Sequence, residues 1–136
     1  MENLTAKRKI GNLGEDLACK FITKNGFNIL ERNYLKKCGE IDIIAKNKEK
    51  LHFIEVKSVS CEINPVVSPE TNNNKYRPED NVHPWKLERL SKTIQLYLIE
   101  RKVSDEMDWQ LDIITVYIDK NNLKAKIGLI ENVIFN

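Results

Sequence analysis

Ile10, Leu13, Leu17 and Phe21 recur three and four residues apart, the spacing of one helix face. The pattern predicts a helix over 6–24, with Thr5 able to cap its start and Asn25-Gly26 marking its end. Alternation over Phe27–Leu35 then predicts a strand. Two short apolar runs follow, Ile41–Ala45 and Leu51–Val56, parted by Asn47-Lys48-Glu49-Lys50, which has the length and polarity of a hairpin loop. Pro65, Pro69, Pro78 and Asn72-Asn73-Asn74 break the pattern and predict a long polar connection over 60–83. Leu87, Leu90, Ile94, Tyr97 and Leu98 restore a helical stripe over 85–102, with Pro84 suited to its first turn. Strands are expected at 109–118 and 124–131. Helix, three strands, helix and two strands predict an α/β fold in which a mixed central sheet is flanked by helices.

The hairpin carries acids and a lysine where a plain core strand carries valine or leucine. If Lys46 closes on Leu51, Ile44 falls opposite Phe53, Asp42 opposite Glu55, and Glu40 opposite Lys57. Directly opposed side chains have Cβ atoms roughly 4.5–5.5 Å apart. Two carboxylates that close repel unless a cation lies between them or one keeps its proton. Hard oxygen ligands of this kind suit Mg²⁺ or Mn²⁺. Glu40, Asp42 and Ile44 are expected on one face of their strand, and Phe53, Glu55 and Lys57 on one face of the next. A solvated surface salt bridge is the competing reading, and the apolar Ile43-Ile44-Ala45 and Phe53-Ile54 argue for a central hairpin instead.

Composition narrows the class. The 136 residues suit one domain over 1–136, and 41% hydrophobic content is enough for a core. No apolar run approaches the ~20 residues of a membrane span, and Met1–Thr5 has no apolar signal-peptide core. Cys19, Cys38 and Cys61 are scattered and odd in number, which points to a reducing, cytoplasmic setting rather than disulfides or zinc. His52 and His83 are isolated, against a histidine metal site. Residues 1–50 hold 11 basic and 7 acidic side chains, and residues 104–136 hold 3 and 6, so positive charge gathers where a phosphate-binding face could lie. Arg32, Lys86 and Arg89 are the candidate nucleic-acid contacts, against a reading as solvated surface charge. Trp85 is expected as a core or hinge anchor, and Asp112 as structural before catalytic.

Asp42, then twelve residues, then Glu55-Val56-Lys57 resembles the active-site pattern of the PD-(D/E)xK nuclease superfamily, with Ile41 in place of its proline. A longer text, Gly14-Glu15-Asp16-Leu17-Ala18, Asn25–Tyr34, Gly39–Ala45 and Phe53–Ser58, is similar to the YraN family of bacterial endonuclease-like proteins, which resembles archaeal Holliday junction resolvases. The resemblance implies a restriction-endonuclease-like fold and a metal-dependent endonuclease that hydrolyses phosphodiester bonds in DNA, branched or single-stranded. It implies Mg²⁺ or Mn²⁺ held by Asp42 and Glu55, with the main-chain carbonyl of Val56 as a further ligand, and Lys57 orienting the attacking water. Glu15 would be a third acid of the site, or else a solvated acid of the first helix. Junction-cutting relatives are commonly homodimers, so a homodimer stays open. The alternative is a non-catalytic nucleic-acid-binding module on the same fold, which needs no buried acid pair.

Overall fold

A computed structural model describes residues 5–61 and 84–133. The elements run α1 (Ala6–Lys24), β1 (Asn28–Lys36), β2 (Gly39–Asn47), β3 (Lys50–Ser60), α2 (Pro84–Glu100), β4 (Asp108–Asp119) and β5 (Lys124–Ile130). This is the expected order. From residue 62 onward the long connection lies outside the described residues, and so do Lys75, Tyr76 and Arg77, which the sequence offers as a nucleic-acid clamp by charge and stacking. Among the described residues no helix is long and apolar enough to cross a membrane.

One sheet takes the strands in chain order, β1-β2-β3-β4-β5. The pairs β1–β2, β2–β3 and β4–β5 are antiparallel, and β3–β4 is parallel. A parallel neighbour cannot be reached by a tight turn, so the chain crosses over through α2. Each face of the sheet then acquires its own apolar layer. Ala18, Cys19 and Ile22 of α1 pack with Ile43, Ala45, Ile54, Ile114 and Val116. Leu90, Ile94 and Tyr97 of α2 pack with Ile44, Phe53 and Leu111. Neighbouring residues such as Phe53 and Ile54 fall in opposite layers, as period-two alternation requires.

Alternation fails at one place. Ile41 and Ile43 are two apart yet pack in opposite layers, and so the switch falls at Asp42. Opposite it on β1, Arg32 pairs with Ile43 and Tyr34 with Ile41. Asn33 between them has a left-handed φ of 53°. A bulge between Ile29 and Glu31 adds one residue to β1 just before, and bulges sharpen strand twist. The β1–β2 ribbon therefore turns over at Asn33 and Asp42. The expectation that Asp42 and Ile44 share a plain strand face is corrected accordingly.

Gly14 sets how closely α1 approaches β3. A Cβ there would lie 1.8 Å from the Ser58 hydroxyl oxygen and 2.9 Å from Ser58 Cβ. Alanine raises helix propensity by up to about 1 kcal/mol, but forcing a methyl into filled space costs about 1–3 kcal/mol. Gly14→Ala is expected to destabilise the protein by about 1–2 kcal/mol in urea denaturation, with Ser58→Gly in the same chain recovering part of the loss. Undiminished stability in Gly14→Ala would show that the helix can slide.

Candidate active site at the strand fork

The β2–β3 register near the turn is the one the hairpin loop predicts, with Ile44 paired to Phe53 and Lys46 to Leu51, but the expected pairs Asp42–Glu55 and Glu40–Lys57 are not part of the ladder. The ladder runs as far as Ile43 and Ile54. Just beyond, the Val56 N–H donates to Asp42 Oδ2 at 2.8 Å. The carboxylate takes over from the main chain where the two strands part. That is how a charged side chain is held inside the sheet without breaking its hydrogen bonding.

Asp42 lines an open cleft of about 440 Å³ together with Glu15, Gly11, Val56, Lys57 and Ser58. Gly11 has open space where its side chain would be, so it widens the cleft rather than packing the helix. Glu15 is half-buried and accepts from Asn33 Nδ2 at 2.8 Å, and the same amide reaches Glu40 at 3.4 Å. The residue at which β1 turns over thus ties the α1 acid to the fork. Burial pushes the Asp42 carboxyl up to about 8, reinforced by the Glu55 carboxylate and, less strongly, by Glu15 and Glu40, against the lowering effect of the Val56 N–H. Burial is the larger cause and the charge of Glu55 the second, and both favour the protonated form of Asp42.

Glu55 is contacted by cations. Its side chain is 9% exposed, and its Oε1 lies 2.9 Å from Lys86 Nζ and 3.4 Å from Lys57 Nζ. Lys57 shares its strand and lies two residues on, whereas Lys86 comes from the first turn of α2. Burial draws the Lys57 ammonium below the usual lysine range, with Lys86 beside it adding to the effect and Glu55 opposing it. For Lys86 burial also pulls downward, but contact with Lys57 and the charge of Glu55 outweigh it and hold the ammonium above its usual range.

The other expected nucleic-acid contacts are engaged elsewhere. Arg32 pairs with Asp16 at 3.0 Å. Arg89 Nε donates to the Cys38 carbonyl at 3.0 Å and so braces the β1–β2 turn. Trp85 is 58% exposed at the start of α2, so of the expected core or hinge anchor the core half is excluded. Proximity of Lys86 to Glu55 has no local signal, because the two residues lie far apart along the chain. Thr115 was also unforeseen. It pairs with Lys57 across the parallel ladder, and its buried hydroxyl has no hydrogen-bond partner among the described residues. An unpaired buried hydroxyl is costly, so Thr115→Val is expected to raise stability by about 1 kcal/mol in denaturant titration. A loss of similar size would mean that the hydroxyl has a partner in solution.

Among the described residues no three His, Cys, Asp or Glu side chains converge as a ready metal cage. The donors on hand are the Asp42 and Glu55 carboxylates and main-chain oxygen. That set fits Mg²⁺ or Mn²⁺, which accept one or two protein carboxylates and keep several waters, and does not fit zinc.

The sequence pattern of the uncharacterised protein family UPF0102 matches residues 14–116. The chain belongs to that family. This is the YraN family that the motifs resemble. Glu15, Asp42, Glu55, Lys57 and Lys86 all lie within the matched stretch. A UPF0102 protein of Campylobacter jejuni is 44% identical over 109 residues, 80% of this chain and 84% of that one. One from Campylobacter hominis is 37% identical over 125 residues, 92% of this chain and 93% of that one. Among solved structures, Pyrococcus furiosus SfsA in complex with Ca²⁺ is similar at a TM-score of 0.40 and 13% identity, across 94% of this chain and 65% of that one.

Proposed function

We propose that this protein is a Mg²⁺- or Mn²⁺-dependent nuclease that hydrolyses phosphodiester bonds in DNA, with branched and single-stranded DNA as its substrate classes. One observation carries the reading: a carboxylate anchored at the fork of two strands by the Val56 N–H, beside a second buried carboxylate that two lysines contact. A surface that only binds nucleic acid has no use for paired acids, which repel phosphate.

Asp42 and Glu55 would hold the ion, with the Val56 carbonyl as a further donor. Bound there, it would supply a water of lowered pKa and neutralise charge on the scissile phosphate. Lys57 points from the same strand as Glu55 and orients the attacking water. As an ammonium it stabilises the negative charge on the oxygens around phosphorus in the transition state. Glu15, fixed by Asn33, orients water on the α1 side of the cleft.

The test is a cleavage panel of single strands, flaps, four-way junctions and duplex, run with Mg²⁺, with Mn²⁺ and with chelator. Cleavage should require the divalent ion and should vanish in Asp42→Ala and in Lys57→Ala. Cutting that persists in both variants would sink the assignment. DNA binding without any Mn²⁺ binding would favour a non-catalytic role.

A further inference from the structure

We propose that Lys86 is the resident cation of this site: it neutralises Glu55 in the metal-free protein and competes with the divalent ion for that carboxylate. The inference rests on the nuclease reading and assigns Lys86 a role in setting metal occupancy.

The geometry gives three reasons. First, Glu55 is nearly enclosed, and an enclosed carboxylate needs a positive partner. The shorter of its two lysine contacts is the one to Lys86, at 2.9 Å against 3.4 Å for Lys57. Second, both ammonium groups address the same oxygen, Oε1. A divalent ion on that carboxylate would meet two positive charges within a few ångströms. One of them must give way or the ion binds weakly. Third, the two lysines differ in how free they are to leave. Lys57 is carried by the same strand as Glu55, with its side chain 21% exposed. Lys86 reaches in from the first turn of α2, with its side chain 26% exposed, on a long stem whose head can return to solvent. Withdrawal of Lys86 frees Glu55 for the ion and leaves an ammonium beside the cleft, where a phosphodiester would bring negative charge.

This makes Lys86 a positioning residue whose removal acts with opposite sign on two quantities. Lys86→Met takes away a charge-assisted hydrogen bond from a buried carboxylate, so the metal-free protein should unfold at lower temperature. The same change removes the competitor, so Mn²⁺ should bind about tenfold more tightly. Both are measured without DNA, by calorimetric Mn²⁺ titration and by thermal unfolding in chelator. Lys86→Gln keeps a neutral donor to Glu55 and should tighten Mn²⁺ binding less, which covers the case that the methionine variant fails to fold. Lys86→Arg should stay near the parent protein in both measurements. Lys92→Met removes the same net charge from an exposed pair with Glu88 and should change neither. Mn²⁺ affinity within twofold of the parent in both Lys86→Met and Lys86→Gln would overturn the inference while leaving the metal site intact. Absence of Mn²⁺ binding in the parent and both variants would overturn the metal-site reading itself.

Discussion

Asp42→Asn is expected to reduce divalent-dependent cleavage by on the order of 10³-fold or more, while making the metal-free protein more stable at neutral pH. The two effects have one cause. The Asp42 carboxyl is raised to about 8, by burial first and by Glu55 second. An unfolded aspartate releases its proton near pH 4. Between those values the folded chain binds a proton that the unfolded chain does not. Stability from this group is therefore full below about pH 4, falls as pH rises, and levels off above about 8. Asparagine keeps an oxygen for the Val56 N–H and carries no charge, so its denaturation midpoint in chelator should vary less between pH 5 and 8 than that of the parent. Metal binding must displace the proton, so the parent's Mn²⁺ affinity should rise with pH over the same range. Denaturant midpoints at several pH values, beside calorimetry and a cleavage assay, check all three. A midpoint equally pH-dependent in Asp42→Asn would show that Asp42 is ionised in the free protein.

Asp112→Ala is expected to cost about 3–5 kcal/mol, a large part of the roughly 5–15 kcal/mol that holds a typical domain folded. Asp112 is 2% exposed on β4. One oxygen lies 2.7 Å from His52 Nδ1, and the other accepts from Gln110 Nε2 at 2.7 Å and from the Asn132 N–H at 2.9 Å. Alanine would strand these donors in the interior. The chain after β5 should loosen as well, since Asn132 N–H binds this carboxylate and Val133 N–H binds the Leu111 carbonyl next to it. Thermal unfolding should drop by about 10–20 °C, and amide exchange should accelerate first at residues 132 and 133. Asp112→Asn, which retains two acceptor lone pairs on one oxygen, should lose less. A drop of only one or two degrees in Asp112→Ala would mean that water replaces the carboxylate.

The candidate site and this network divide the polar interior into two parts with different tasks. At the fork, Asp42 lines an open cleft with its carboxyl raised by burial and by the charge of Glu55, and Glu55 is contacted by two lysines. Around Asp112 both oxygens have hydrogen-bond partners from β3, β4 and the segment after β5. Asp112 thus serves as a joint between β3, β4 and the end of the chain.

Much of this was legible along the chain. The 3.6-residue stripe beginning at Ile10, Thr5 before it and Asn25-Gly26 after it set the bounds of α1, because helix caps and periodicity are local properties. The four-residue polar turn at Asn47–Lys50 set the β2–β3 register, since turn length and register are coupled in a hairpin. Asp42, Glu55 and Lys57 stood out as charges within apolar runs. Packing alone decided the rest. The face switch at Asp42 arises from a bulge and a left-handed Asn33 acting together, and no period of two or 3.6 announces it. Glu15, Lys86 and the donors to Asp112 meet their partners only because helices and strands distant in sequence close on one another. Such contacts depend on how layers stack in three dimensions, which residue order constrains only through the whole fold.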